Sequence, residues 1–214
     1  LPCNLNKSAR LSLATDADYG LSQLDSSLFL GIPSDVEAHS GFASHQARYA
    51  NDKYCYVSHA HADNDDVSTA PTILSAVKTA LSKHGASSIT VVGHSLGGAL
   101  ALLDGVYFRL QFSKTVSVRV ITYGMPRVGS QAFADFVDSK LSGLVTRVTN
   151  REDFVPIVPD FLSGFFHPSG EIHIQDSGAW DACPGTFTEA HSHPACGVVR
   201  TSDVMHVFRS RQSF

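Results

Sequence analysis

Residues 88–103 read SITVVGHSLGGALALL, and this run decides the fold. Ser88–Val92 is rich in β-branched residues and predicts a strand. Gly93-His94-Ser95-Leu96-Gly97 follows as G-x-S-x-G, and an apolar helical pattern runs from Leu96 to about Phe112. Strand, sharp turn and helix around such a serine form the setting of a nucleophile elbow. The turn is expected to force Ser95 into a strained backbone conformation, with Gly93 and Gly97 removing side chains that would clash. Its hydroxyl then stands at the end of the sheet, over the positive end of the helix.

Working outward, the pattern alternates. Val36–Phe42 leads into a helix through Ala50, and Pro71 opens another with Ile73, Leu74, Val77 and Leu81 on one face and Gly85 past its end. After the elbow come a strand at Val116–Tyr123, a helix at Gln131–Leu141 and a strand at Leu144–Thr149. Alternating strands and helices imply crossovers and a mostly parallel sheet, an α/β class. In such sheets sites lie beyond the carboxyl ends of strands, where Ser95, Pro126 and Asp153 all fall. Thr15–Phe29 reads as an extended segment and a turn, and Leu1–Ala14 shows no clean period.

The 214 residues suit one domain with a substantial core. A net charge of −4 gives no electrostatic case for nucleic acid. Asp104 and Arg109 interrupt the longest apolar run, so no membrane span is expected. Cys3, Cys55, Cys183 and Cys196 permit three full pairings. Cys183 and Cys196 bound a Gly/Pro/Thr/His-rich segment where a disulfide is expected, worth on the order of 3 kcal/mol. That use of cysteine favours a secreted protein.

A serine hydroxyl needs a base to take its proton and an acid to orient the base, in the chain order Ser, acid, His. Asp104, Asp135 and Asp138 fall within predicted helices, away from strand ends. Asp153 directly follows strand Leu144–Thr149 and precedes the stiff Val155-Pro156. Asp153 is therefore the expected acid, with Glu152 the alternative. Five histidines follow: His167, His173, His191, His193 and His206. His167 and His173 come too early for a late loop, and His173 alternates with Ile172 and Ile174 as a strand residue would. His191 and His193 sit between the late cysteines. Position favours His206 as base.

GHSLGGA, ITYGMPRVGS at Ile121–Ser130 and RVTNREDFVPIVP at Arg147–Pro159 resemble the fungal class 3 lipases. HSGF at His39–Phe42 and HPSGEIHI at His167–Ile174 look like further signatures, and the Cys183–Cys196 spacing is similar to a basidiomycete-type branch. The resemblance implies an α/β-hydrolase fold with a mostly parallel central sheet and helices on both faces. It also implies hydrolysis of acylglycerol esters and secretion. A substrate at a lipid–water interface is expected, and no cofactor or metal. Ser95 would be the nucleophile, Asp153 the acid, and the backbone N–H of Leu96 one oxyanion donor. Phe161, Leu162, Phe165 and Phe166 would line an acyl groove, unless they are ordinary core.

Three departures from the family pattern stand out. The family's early strand ending in Gly-Thr or Gly-Ser, which supplies the second oxyanion donor, has no counterpart in Leu1–Ala14. Residues 49–68 interrupt what would otherwise be one helix joining Gln46–Arg48 to Thr69–Leu74, and read as an insert. The family's catalytic histidine follows an Asp directly, whereas Asp203 and His206 are separated by Val204 and Met205. The alternative readings are therefore a catalytically impaired lipase-like lipid-binding module and a short-chain esterase. His59-Ala60-His61-Ala62-Asp63 looks like the start of a metallo-β-lactamase site, but Asn64 stands where that family has His, and a solvated loop is expected.

Overall fold

The computed structural model describes residues 20–48 and 69–183. Two small elements come first: β1 (Leu21–Gln23) and β2 (Glu37–His39), paired antiparallel. Helix α1 (Ser40–Arg48) follows β2 directly, and α2 spans Thr69–His84. The expected insert at 49–68 falls between α1 and α2, outside the described residues, as do Leu1–Ala14.

The main sheet comprises β3 (Ser88–His94), β4 (Ser117–Tyr123), β5 (Val145–Asn150), β6 (Glu171–Ile174) and β7 (Trp180–Ala182), in that spatial order. The first four strands run parallel and β7 is antiparallel to β6. Helices α3 (Leu96–Gln111) and α4 (Gln131–Lys140) make two of the crossovers. The fold is α/β with a mostly parallel sheet, as the alternation of patterns requires.

The core lies between the sheet and α3. Nearly every residue of α3 from Gly98 to Phe108 is buried, with Leu102, Leu103 and Val106 fully so. Burying each such side chain is worth roughly 1.5–3 kcal/mol. Val118 and Val120 of β4 meet them from the sheet side, both fully buried. Arg109 closes the helix, its guanidinium donating to Phe112 O at 2.9 Å and Val116 O at 3.0 Å. A cation there also complements the negative end of the helix.

The opposite face is open to solvent at one end of the sheet. Side chains alternate along a strand, so Thr90, Val92 and His94 share a face with Arg119 and Tyr123 of β4. Val92 is 59% and Tyr123 44% exposed. Among the described residues no helix covers this face at β3 and β4, and β3 is the edge of the sheet.

Candidate active site

Ser95 lies between β3 and α3 with φ 54° and ψ −127°. Among the described residues, Ser95 and Arg151 are the non-glycine positions with positive φ. Such backbone costs on the order of 1–3 kcal/mol and gathers where function demands it. Tertiary contacts hold it here: Ser95 N–H donates to Tyr123 O at 2.9 Å, and Ser95 O accepts from Gly98 N–H at 2.8 Å. The Ser95 side chain makes no capping bond to its helix, and no acidic residue stands in the first turn of α3. The hydroxyl is thus not spent on capping the helix, and the first turn leaves the positive helix end without a carboxylate of its own.

The glycines around the elbow divide the work differently from the sequence expectation. A Cβ on Gly93 would run into the carbonyl of Gly97 and come within 2.7 Å of Gly98 N. Gly93 must therefore be glycine. At Gly97 a Cβ would meet nothing within 4 Å, so no clash is relieved there. The second tight position is Gly98, where a Cβ would approach Met125 Cβ at 3.1 Å.

Asp153 follows β5 through a turn in which Arg151 takes φ 49° and Asp153 N–H donates to Asn150 O at 3.0 Å. One carboxylate oxygen, Oδ1, accepts from Val155 N–H at 3.0 Å. The other, Oδ2, faces Gly124 at the end of β4, 2.8 Å from where a Cβ on that glycine would stand. The same point lies 3.9 Å from His94 Nε2, beside Ser95. Thus Ser95, Gly124 and Asp153 gather at the carboxyl ends of three neighbouring strands. Glu152 is exposed and Asp153 half-buried.

The loop after Asp153 is clamped from below. Arg127 donates through Nη1 to Ile157 O and to Pro159 O (2.8 Å), and its N–H donates to Val158 O at 2.9 Å. Burial lowers the Arg127 pKa to about 10, against partial relief from Asp160. His167 bonds through Nε2 to Pro156 O at 2.7 Å. A carbonyl only accepts, so Nε2 carries the proton. Burial, then the Arg147 and Arg127 charges, hold His167 well below the usual histidine range and keep it neutral. Arg147 is itself buried, bonded through Nε to Pro168 O at 2.9 Å and paired with Glu171 at 3.3 Å. Motif Ile121–Ser130 was visible in the sequence, but nothing local assigned Gly124 or Arg127 to the Asp153 loop.

The expected acyl-groove residues do not share one surface. Phe165 is 1% exposed, packed in the core with its ring 5.6 Å from His39, which stacks on Phe42 at 4.1 Å. Leu162 is 79% exposed, and Phe161 and Phe166 are half-buried. Cys183 is buried at the end of β7. His206 and Cys196 lie outside the described residues, as do His191 and His193. Leu96 opens α3, so its N–H is one of the helix donors without an intrahelical acceptor.

The sequence profile of the lipase (class 3) family matches residues 7–162. The chain belongs to the class 3 lipases. A secreted mono- and diacylglycerol lipase of Malassezia globosa is 38% identical over 101 residues, covering 46% of this chain and 33% of that protein. Another, from Gibberella zeae, is 41% identical over 100 residues, covering 45% of this chain and 31% of its own length. The class 3 lipase chain thus spans about a third of the length of these relatives. Among solved structures, lipase II of Rhizopus niveus superposes with a TM-score of 0.61 at 26% identity, over 81% of this chain and 57% of that one. A triacylglycerol lipase whose catalytic centre is formed by a serine protease triad matches with a TM-score of 0.56 at 25% identity, over 77% of this chain and 53% of that one.

Proposed function

We propose that this class 3 lipase chain is a serine carboxylic-ester hydrolase acting on acylglycerols. The observation that carries the reading is Ser95 at φ 54° on a strand-to-helix turn, with the Asp153 carboxylate turned toward the neighbouring strand end. In this reading His206 takes the Ser95 proton as the hydroxyl attacks the ester carbonyl. Asp153 Oδ2 then accepts from the imidazole while Oδ1 stays on Val155 N–H. The Leu96 N–H binds the oxyanion, the imidazolium gives its proton to the departing glyceride oxygen as the ester C–O bond breaks, and water then hydrolyses the acyl-enzyme to free acid and serine. No cofactor is called for.

The substrate class is proposed from the relatives' names and from apolar side chains exposed shortly after Asp153. Phe154, Val158 and Leu162 all expose hydrocarbon to solvent. Exposed hydrocarbon of that kind suits an ester presented at a lipid–water interface. Secretion follows the naming of the relatives as secreted lipases, and a Cys183–Cys196 disulfide would suit that compartment. No helix among the described residues is long and apolar enough to cross a membrane.

The test is hydrolysis of short- and long-chain glycerol esters by the purified chain and by Ser95→Ala. The expected result is a rate lost by a factor of about 10³ or more in the variant. Equal rates in the two proteins would remove the enzyme reading and leave a lipid-binding module. A preference for short, soluble esters would point to an esterase instead of a lipase.

A further inference from the structure

Gly124 sits immediately after β4 with φ +54°. Its N–H donates to Val148 O at 2.9 Å, which fixes the chain against β5 just before the Asp153 turn. The space where its side chain would stand is occupied from one side by Asp153 Oδ2 at 2.8 Å, with Asp153 Cγ and His94 Nε2 each at 3.9 Å. Carbon and oxygen that are not bonded do not approach so closely, so any Cβ here displaces the carboxylate.

We infer that Gly124 is a positioning residue for the triad acid: its missing side chain is the notch that seats Asp153 Oδ2. The inference rests on the hydrolase reading only for its catalytic consequence. Asp153 has a short side chain held at one oxygen by Val155 N–H. A Cβ at residue 124 is therefore met by rotation of the carboxylate, which breaks that bond and turns Oδ2 away from the place where an imidazole must reach it. The fold survives such a rotation, whereas an orientation-dependent reaction does not.

Two properties of Gly124 must be separated, its positive φ and its empty space. Gly143 has φ +68° and nothing within 4 Å of its would-be Cβ, so Gly143→Ala carries the backbone cost alone. Gly124→Asn is the converse, since Asn tolerates the left-handed region but still brings a Cβ. The experiment compares the parent chain, Gly124→Ala, Gly124→Asn and Gly143→Ala by two readouts. The first is kcat and KM on a soluble short-chain ester. The second is hydrogen exchange of the Val155 amide, which needs no activity.

Both Gly124 variants are expected to lose about 10²-fold in kcat, with KM unchanged within about twofold. Their Val155 amide is expected to exchange about tenfold faster or more, and Gly143→Ala to match the parent in both readouts. Unchanged Val155 exchange in the Gly124 variants overturns the inference, whatever the activity shows. So does an unchanged kcat in an active parent. A parent chain without ester hydrolysis defeats the hydrolase reading instead, and the Val155 amide still decides whether Gly124 seats the carboxylate.

Discussion

The backbone N–H of Ser95 donates to the carbonyl of Tyr123 at 2.9 Å, so the elbow is tied to the neighbouring strand while Ser95 holds φ 54°. The strained residue is thus anchored by the sheet register and does not depend on its own side chain. Ser95→Gly is expected to raise the unfolding free energy by about 1 kcal/mol, because glycine takes this φ freely. Ser95→Ala keeps a Cβ and gains nothing. On the proposed hydrolase reading both lose activity, and urea unfolding of the two variants separates strain from chemistry.

Gly93 and Gly97 look equivalent in the motif and are not equivalent in space. Gly93→Ala drives a Cβ into the backbone of residues 97 and 98, which cannot move without dismantling the elbow. A loss of about 3 kcal/mol is expected. Gly97→Ala meets open space in the first turn of α3, where alanine favours the helix by up to about 1 kcal/mol. Thermal denaturation of the pair is the check, and equal losses at both positions would contradict the asymmetry.

Asp104 on α3 accepts from Gln46 Nε2 on α1 at 3.1 Å. Burial raises its pKa from 3.8 to about 6, against partial lowering by Gln46. Between those values the native state holds a proton that the unfolded chain has lost, so this group's contribution falls as pH rises from about 4 to about 6. His167 acts in the opposite sense. Its native pKa is depressed, so its contribution is present above the unfolded value near 6.5 and is lost as pH falls. In the window from about pH 4 to 6 the two slopes oppose each other.

Asp104→Asn removes one of them. At pH 7.5 it is expected to stabilise by about 1–3 kcal/mol, the upper figure being the full shift without solvent screening. Gln46 Oε1 is buried without a hydrogen-bond partner, and the Asn amide would offer it one. Below pH 6 the variant is expected to lose stability more steeply than the parent, because the His167 slope is then unopposed. Urea midpoints between pH 4 and 8 measure both effects. A parallel pair of curves would sink the assignment.

Arg127 holds the carbonyls of Ile157 and Pro159 behind the Asp153 turn. Arg127→Met leaves both carbonyls without that donor in a buried setting, at a cost of about 3 kcal/mol. Arg127→Lys is expected to recover only part of this, because an ammonium lacks the planar fork of guanidinium. Limited proteolysis should show new cleavage within residues 154–160 in the Met variant before the rest of the chain is cut.

Much of this architecture is legible along the chain. Strand, elbow and helix at residues 88–112, and the strands ending at Tyr123 and near Thr149, are written in side-chain periodicity and in glycine placement. These are local properties: β-branched runs disfavour helix, and a 3.6-residue apolar spacing has one stable partner, a buried face. The strand at 171–174 was visible as alternation around His173. The three residues Trp180–Ala182 were not, since so short a segment shows no period and is held as a strand only by pairing with β6. The buried Arg127, Arg147 and His167, and the half-buried Glu171, likewise read as ordinary polar residues, because their partners are far away in sequence.

The sequence by itself determined the strands and helices between residues 69 and 150, their order, the family, and Ser95 as the residue that stands at the turn. Only the tertiary structure decided that Gly93 and Gly98 are the tight glycines and Gly97 is not. It also separated Asp153, half-buried against Gly124, from the exposed Glu152 beside it, and placed Phe165 in the core away from Leu162. The reason is one of range. Periodicity and turn chemistry act over a few residues, whereas which carboxylate meets which strand end depends on register across a sheet whose members are tens of residues apart.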